Sequence, residues 1–229
     1  FLGTETCPFC PSGAVPITPS HVAKCMGLAG RLNTHDKIVA TLLHMCKDLL
    51  PHATIYSDKQ LINMFPSIGL QHPDMMIEWG DGRPATIVDF TTAEYDSSNV
   101  EPLGAARAGE RRKDKHMPYV RMAAAENINY IGISMEPSGA PGPNFQSFLS
   151  TIYAAAKRED PGSPEDDISA LGDFTTNPHV NRAQYTPNWI LPNRYAYWLT
   201  ALDAAMCKGR WRAQQGYVRE YYKIQAAAP

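Results

Sequence analysis

The sequence predicts an α/β protein: a central sheet flanked by helices, with a small metal-held module ahead of it and a helical extension behind it. Three observations lead there. A hairpin pattern occupies residues 71–95, where MMIEW (75–79) and ATIVDF (85–90) flank the turn chemistry of Gly80-Asp81-Gly82. A third β-branched run, NINYIGISM (127–135), lies between segments whose apolar residues recur at the helical period. The first 30 residues carry Cys and His at zinc-ligand spacing and little from which to build a core.

Residues 1–30 form the first unit. Cys7, Cys10, His21 and Cys25 are separated by two, ten and three residues, which suits a knuckle offering two thiolates and a short helix offering His and Cys one turn apart. Ser20 is the N-cap candidate of that helix and Gly30 its stop. Pro8, Pro11, Pro16 and Pro19 leave little regular structure between the ligand pairs, so a structural Zn²⁺ is expected to hold the unit, contributing on the order of 10 kcal/mol. The competing reading, incidental cysteines beside a core histidine, requires four ligands to fall in closed-site order by accident. Five cysteines, unevenly placed, fit a reducing compartment better than a disulfide framework. Cys46 and Cys207 sit in helical patterns and read as ordinary helix residues.

Residues 31–158 are the expected core. Thr34 is the candidate cap of a helix carrying Ile38, Leu42, Met45 and Leu49 at helical spacing and ended by Pro51. His35 and Asp36 then fall in its first turn, where an acid suits the helix dipole as readily as it suits catalysis. ATIY (53–56) is a short strand, followed by QLINMF (60–65) and the hairpin. Residues 100–127 are Ala-rich and cationic, and helical on either side of Pro118. NINYIGISM is expected beside the hairpin, SGAPGPN (138–144) is a loop, and FQSFLSTIYAAAKRE (145–159) is an amphipathic helix. Residues 159–190, rich in Pro, Gly and acids, read as an irregular linker or arm, and 191–229 as a helical extension. In that extension Trp198 is assigned to packing, whereas Lys208, Arg210 and Arg212, interleaved with aromatics, are candidates for nucleic-acid contact.

Bulk composition narrows the function. With 229 residues, 44% hydrophobic, 19% charged and net charge -2, the chain is neither a disordered nor a uniformly basic protein, so any polyanion site must be local. No apolar run approaches the roughly 18–20 residues of a membrane span, and no signal-peptide pattern opens the chain, which reads as soluble without a membrane partner. The first residue is Phe1, which suggests a piece of a longer polypeptide.

The chemistry centres on the hairpin. Asp89 lies inside a β-branched run, and a buried carboxylate needs a counter-ion, a metal or a proton. A divalent cation shared with Asp74 is the economical answer; the alternative is a turn residue at 74 and a solvent-facing edge charge at 89. Hydrolysis of a phosphodiester by Mg²⁺ or Mn²⁺ needs two such carboxylates and a nearby cation. In the PD-(D/E)xK pattern a lysine stands two residues after the second acid, but that slot here is Thr91. A lysine from the following helix, Lys115 or Lys113, is the candidate replacement, with Arg111 and Arg112 placed to meet phosphates. A solvated helix face is the competing account of that charge run.

The order of these parts, a CCHC knuckle, THDKIV, HPD, TIVDFTTAEY and RRKDKHMPY, resembles the restriction-like endonuclease region at the C-terminal end of site-specific non-LTR retrotransposons, over roughly residues 5–135. The resemblance implies a restriction-endonuclease-like core with a mixed central sheet, nicking of target DNA to prime an upstream reverse transcriptase of the same polyprotein, and a nuclear location. Element RNA is a further partner it suggests. By the family's K-x-x-K-Y pattern, Arg112 takes the first basic place, Lys115 the catalytic one and His116 the Tyr place, with Pro118-Tyr119 in the place of Pro-Leu. The family's Arg before the His-Asp pair is absent, since Thr34 stands there and Arg31 is the nearest arginine. The expected site is therefore Asp74 and Asp89 as Mg²⁺ ligands, Lys115 or Lys113 at the reacting phosphate, and His35 and Asp36 as helpers. The rival readings are a non-catalytic zinc-knuckle nucleic-acid-binding module and an RNA endonuclease of the same core.

Overall fold

The structure, a computed structural model, describes residues 6–10, 15–17, 21, 25, 30–66, 73–93, 101, 103–115, 117–136, 139–159 and 194–227. Its elements run α1 (Gly30–Leu49), β1 (Thr54–Ser57), α2 (Asp58–Met64), β2 (Met75–Glu78), β3 (Thr86–Thr92), α3 (Gly104–Asp114), α4 (Met117–Ala125), β4 (Asn129–Met135), α5 (Pro143–Glu159) and α6 (Arg194–Ala227). The expected linker lies almost wholly outside the described residues, as do His116 and most of the segment between Cys10 and Gly30.

The four strands form one mixed sheet in the order β1-β2-β3-β4. The first three pair antiparallel, and β4 joins β3 in parallel, which requires a crossover that α3 and α4 provide. β2 and β3 are joined by residues 79–85, a longer connection than a tight two-residue turn. Gly80 and Gly82 both take positive φ there, and a Cβ on Gly80 would meet the His52 carbonyl at 2.7 Å.

Side chains alternate across the sheet, which sorts the helices between its faces. One face presents Met75, Ile77, Val88, Phe90, Ile133 and Met135 to the main core, closed by α1, α5 and α6. The predicted helix stripe holds, because Ile38, Leu42, Met45 and Leu49 are all buried in that core. The other face carries Met76 and Ile87 against Leu61 and Phe65, around α2, and Met122 of α4.

Two expectations from sequence need correction. Thr34 is not a cap: α1 begins at Gly30, so Thr34, His35 and Asp36 lie past its start. Thr34 is buried because α6 crosses there, and a Cβ on Gly209 would stand 2.8 Å from the Thr34 Cα. Nor is the C-terminal helix only an extension. Its Leu202 and Met206 belong to the main core, and the Trp198 indole N–H donates to Asp48 at 2.8 Å. With Trp198 near the end of α1 and Gly209 near its start, the two helices run antiparallel.

Candidate active site and metal centre

Asp89 sits on β3 with its side chain on the face opposite the main core, and it is 3% exposed. The β2–β3 register pairs Met75 with Val88, so one step further it sets Asp74 opposite Asp89. Asp74 is fixed in place by the Phe90 N–H, which donates to its Oδ2 at 2.6 Å.

The cation that meets Asp89 is Lys113, whose Nζ lies 2.8 Å from Asp89 Oδ1. Lys115 is exposed at the end of α3. Residues two apart on a helix point in nearly opposite directions, so one lysine turns to the sheet and the other away from it. Gly132, the β4 partner of Asp89, creates the opening. A Cβ there would collide with the Lys113 Cβ, so only glycine lets α3 approach this closely. The Tyr130 hydroxyl stands 3.0 Å from the Lys113 carbonyl and 3.3 Å from Asp89 Oδ2, bracing both. Thr91, in the slot where a lysine was sought, is buried and lies within reach of the α3 backbone at Gly109.

Burial pushes the Asp89 carboxyl up to about 6; Lys113 opposes this and the charge of Asp74 reinforces it. His35 completes the cluster. Its Nε2 lies 3.2 Å from the Phe90 carbonyl and 3.4 Å from Asp74 Oδ1, and its Nδ1 lies 3.2 Å from Asp36 Oδ1. Burial alone would lower His35, but hydrogen bonds and charge from Asp74 and then Asp36 raise it to about 9. The ring is therefore an imidazolium at neutral pH, with both N–H groups directed at acceptors.

Arg111 and Arg112 are exposed on α3. Glu110, a residue that sequence reasoning passed over, is buried and accepts from the backbone N–H groups of Asn144 and Phe145 at 3.1 Å each. It thus caps α5, which lacks an N-cap side chain of its own, and ties α5 to the helix that carries Lys113. Burial still raises its carboxyl above the usual range.

The second cluster joins Cys7, Cys10, His21 and Cys25, whose ligand atoms all lie within 4.8 Å of one another, close enough to bind a metal such as zinc. The sulfurs of Cys7 and Cys25 are 3.7 Å apart, those of Cys10 and Cys25 4.0 Å, and Cys10 Sγ is 3.5 Å from His21 Nε2. Tetrahedral zinc with bonds of about 2.3 Å to sulfur and about 2.05 Å to nitrogen gives edges of about 3.8 Å and 3.5 Å, so the donor set fits. None of the five cysteines is in a disulfide.

Tyr217 of α6 packs on this cluster, an association that spacing alone does not reveal. It is fully buried, with its ring 5.2 Å from Phe9 and 6.3 Å from His21. Burial would raise the Cys7 thiol, yet the neighbouring Tyr217 and His21 side chains bring it down to about 6, which favours the thiolate that a metal needs. Cys46 is buried in the main core and Cys207 is exposed on α6.

Lys208 and Arg212 are exposed on α6, whereas Arg210 is half-buried toward the helix's packed side. Among the described residues, no helix is long and apolar enough to cross a membrane. The chain matches no protein-family model and none of the curated proteins with which it was compared.

Proposed function

We propose that the chain is a metal-dependent DNA endonuclease with a restriction-like core, acting in the nucleus as one section of a retrotransposon polyprotein whose reverse transcriptase lies upstream. The observation that carries this reading is the opposed pair Asp74 and Asp89 with the Lys113 ammonium on Asp89. Two facing carboxylates, one of them raised by burial and by its neighbour's charge, suit a hard divalent cation. Asp74 and Asp89 would hold that ion, and Mg²⁺ or Mn²⁺ supplies Lewis-acid charge at a phosphate when bound.

The remaining roles fall to the chain's own groups. Lys113 gives one of its three N–H donors to Asp89, leaving two for a phosphate oxygen or the attacking water. It takes the lysine role that the family pattern assigned to Lys115. His35, with Nε2 3.4 Å from Asp74 Oδ1 and 3.2 Å from the Phe90 carbonyl, would position Asp74. Arg111 and Arg112 meet the phosphate backbone, and the zinc-type cluster anchors an N-terminal nucleic-acid contact.

The test is nicking of supercoiled DNA in Mg²⁺. Asp74→Ala and Asp89→Ala should each abolish nicking while DNA binding persists, and full cleavage by the double variant would refute the reading. The His35–Asp74 pair favours one second reading, an RNA endonuclease of the same core. Matched DNA and RNA substrates separate the two.

A further inference from the structure

The described residues of α6 include a buried stripe and an exposed aromatic one. Leu202, Met206, Gly209 and Tyr217 are buried against α1, the core and the zinc-type cluster. Four large apolar or aromatic side chains are exposed among the described residues, and three of them are on α6: Tyr197 at 46%, Trp211 at 60% and Tyr222 at 67%. At about 100° per residue, these three fall with Lys208, Arg212 and Arg219 inside an arc of roughly 100°, opposite the buried stripe. Arg210 falls outside that arc. The pattern is not what core packing requires, since each exposed ring forgoes burial that would otherwise stabilise the fold.

We propose that this outward face of α6 binds single-stranded DNA. The rings of Trp211 and Tyr222 would stack on bases, and Lys208, Arg212 and Arg219 would meet the phosphates between them. Every base has a π-face, so such a stripe takes an unpaired strand with little regard to sequence, whereas paired bases hide those faces inside the duplex. Lys208 and Tyr222 are about 21 Å apart along the helix at 1.5 Å per residue, room for a few nucleotides. Arg219 and Lys223 also pair with Glu220, at 3.4 and 2.8 Å, but exposed pairs of this kind yield readily to a phosphate. Gly209 touches Thr34, the neighbour of His35, and Tyr217 touches the Cys/His cluster, so the stripe spans the same length of helix that links the acidic site to the metal centre. The choice of DNA over RNA rests on the endonuclease reading; the choice of an unpaired strand rests on the exposed rings.

The experiment uses the full chain loaded with zinc, without Mg²⁺, and follows the fluorescence anisotropy of a labelled oligonucleotide of about 20 nucleotides. Trp211→Ala and Tyr222→Ala should each weaken single-stranded DNA binding by about 5- to 100-fold, and Trp211→Phe should recover most of it. Lys208→Gln and Arg212→Gln should each flatten the slope of log K against log salt by about 0.7. The rings are solvent-exposed, so unchanged thermal melts should accompany the loss. Wild-type affinity in both alanine variants overturns the proposal, as does equal loss with duplex DNA, a preference for matched RNA, or sedimentation showing that the rings instead hold a dimer together. In an Asp74→Ala background the same binding should remain. Nicking that persists there would count against the endonuclease reading and leave the stripe standing.

Discussion

Replacing Lys113 by Met keeps the aliphatic stem and removes only the charge that faces Asp89, so its effect follows from the carboxyl's proton equilibrium. Asp89 has a folded value near 6 against about 3.9 when unfolded. Its folded value is raised, so it favours folding most below about pH 4, and that contribution is lost as pH rises through 6. Without Lys113 the carboxyl rises further and, rather than remain as an unpaired buried anion, takes a proton. Protonation caps the penalty, which grows as pH rises above 6: roughly 1 kcal/mol at pH 7, roughly 3 kcal/mol at pH 8 and close to nothing at pH 5. Urea denaturation of Lys113→Met and wild type at those three pH values, without divalent metal, measures the difference directly. A loss of about 3 kcal/mol that is the same at pH 5 and pH 8 would refute the reasoning, as would no loss at pH 8. Nicking in Mg²⁺ should fall by at least 100-fold in the same variant, whereas Lys115→Met should keep most of it.

Three further outcomes are expected. His35→Gln removes a cation whose folded value is about 9 against 6.5, so it should destabilise by about 1–2 kcal/mol below pH 6.5, with the difference shrinking as pH rises through 9; thermal melts from pH 6 to 10 show the convergence. Gly132→Ala drives a methyl into the Lys113 Cβ, which is anchored in backbone and cannot swing aside. It should cost about 1–3 kcal/mol in denaturant titrations and lower nicking, because α3 is forced off the sheet. Tyr217→Ala opens the cover of the Cys/His cluster, where the buried ring packs on Phe9 and His21. Zinc affinity, read by chelator competition, should fall about 10- to 100-fold, with Tyr217→Phe in between.

The strands and the acids were legible because their signals are local. A β-branched run bounded by turn residues is a strand in nearly any context, and an aspartate inside one has few options but a partner. The ligand quartet was legible for the same reason: its spacing alone brings the donors together. Three other features depended on tertiary contact. Thr34 has the chemistry of a cap, but α6 buries it, and nothing near position 34 announces that. Choosing between Lys113 and Lys115 by motif spacing ignored which side of α3 meets the sheet; the deciding residue, Gly132, lies on another strand. Glu110 was hidden in a cationic run and so passed over; its partners, the N–H groups of Asn144 and Phe145, lie more than 30 residues away in sequence. The packed stripe of α6 is spaced by glycine and alanine as much as by large apolar groups, which weakened its helical period against the aromatics on the exposed side.

The contact between Tyr217 and Cys7 also bears on the order of events during synthesis. Phe9, Ile17 and Cys25 are covered by a side chain from far along the described chain, so a ribosome must deliver about two-thirds of α6 before that apolar surface is shielded. Until then the thiolates can capture metal but stay open to solvent, oxidants and other chains. Such a distant closure makes late folding slow relative to the local hairpin. It also means that trimming α6 and mutating the cysteines should leave one lesion seen from two sides: a nascent N-terminal module that has lost its lid.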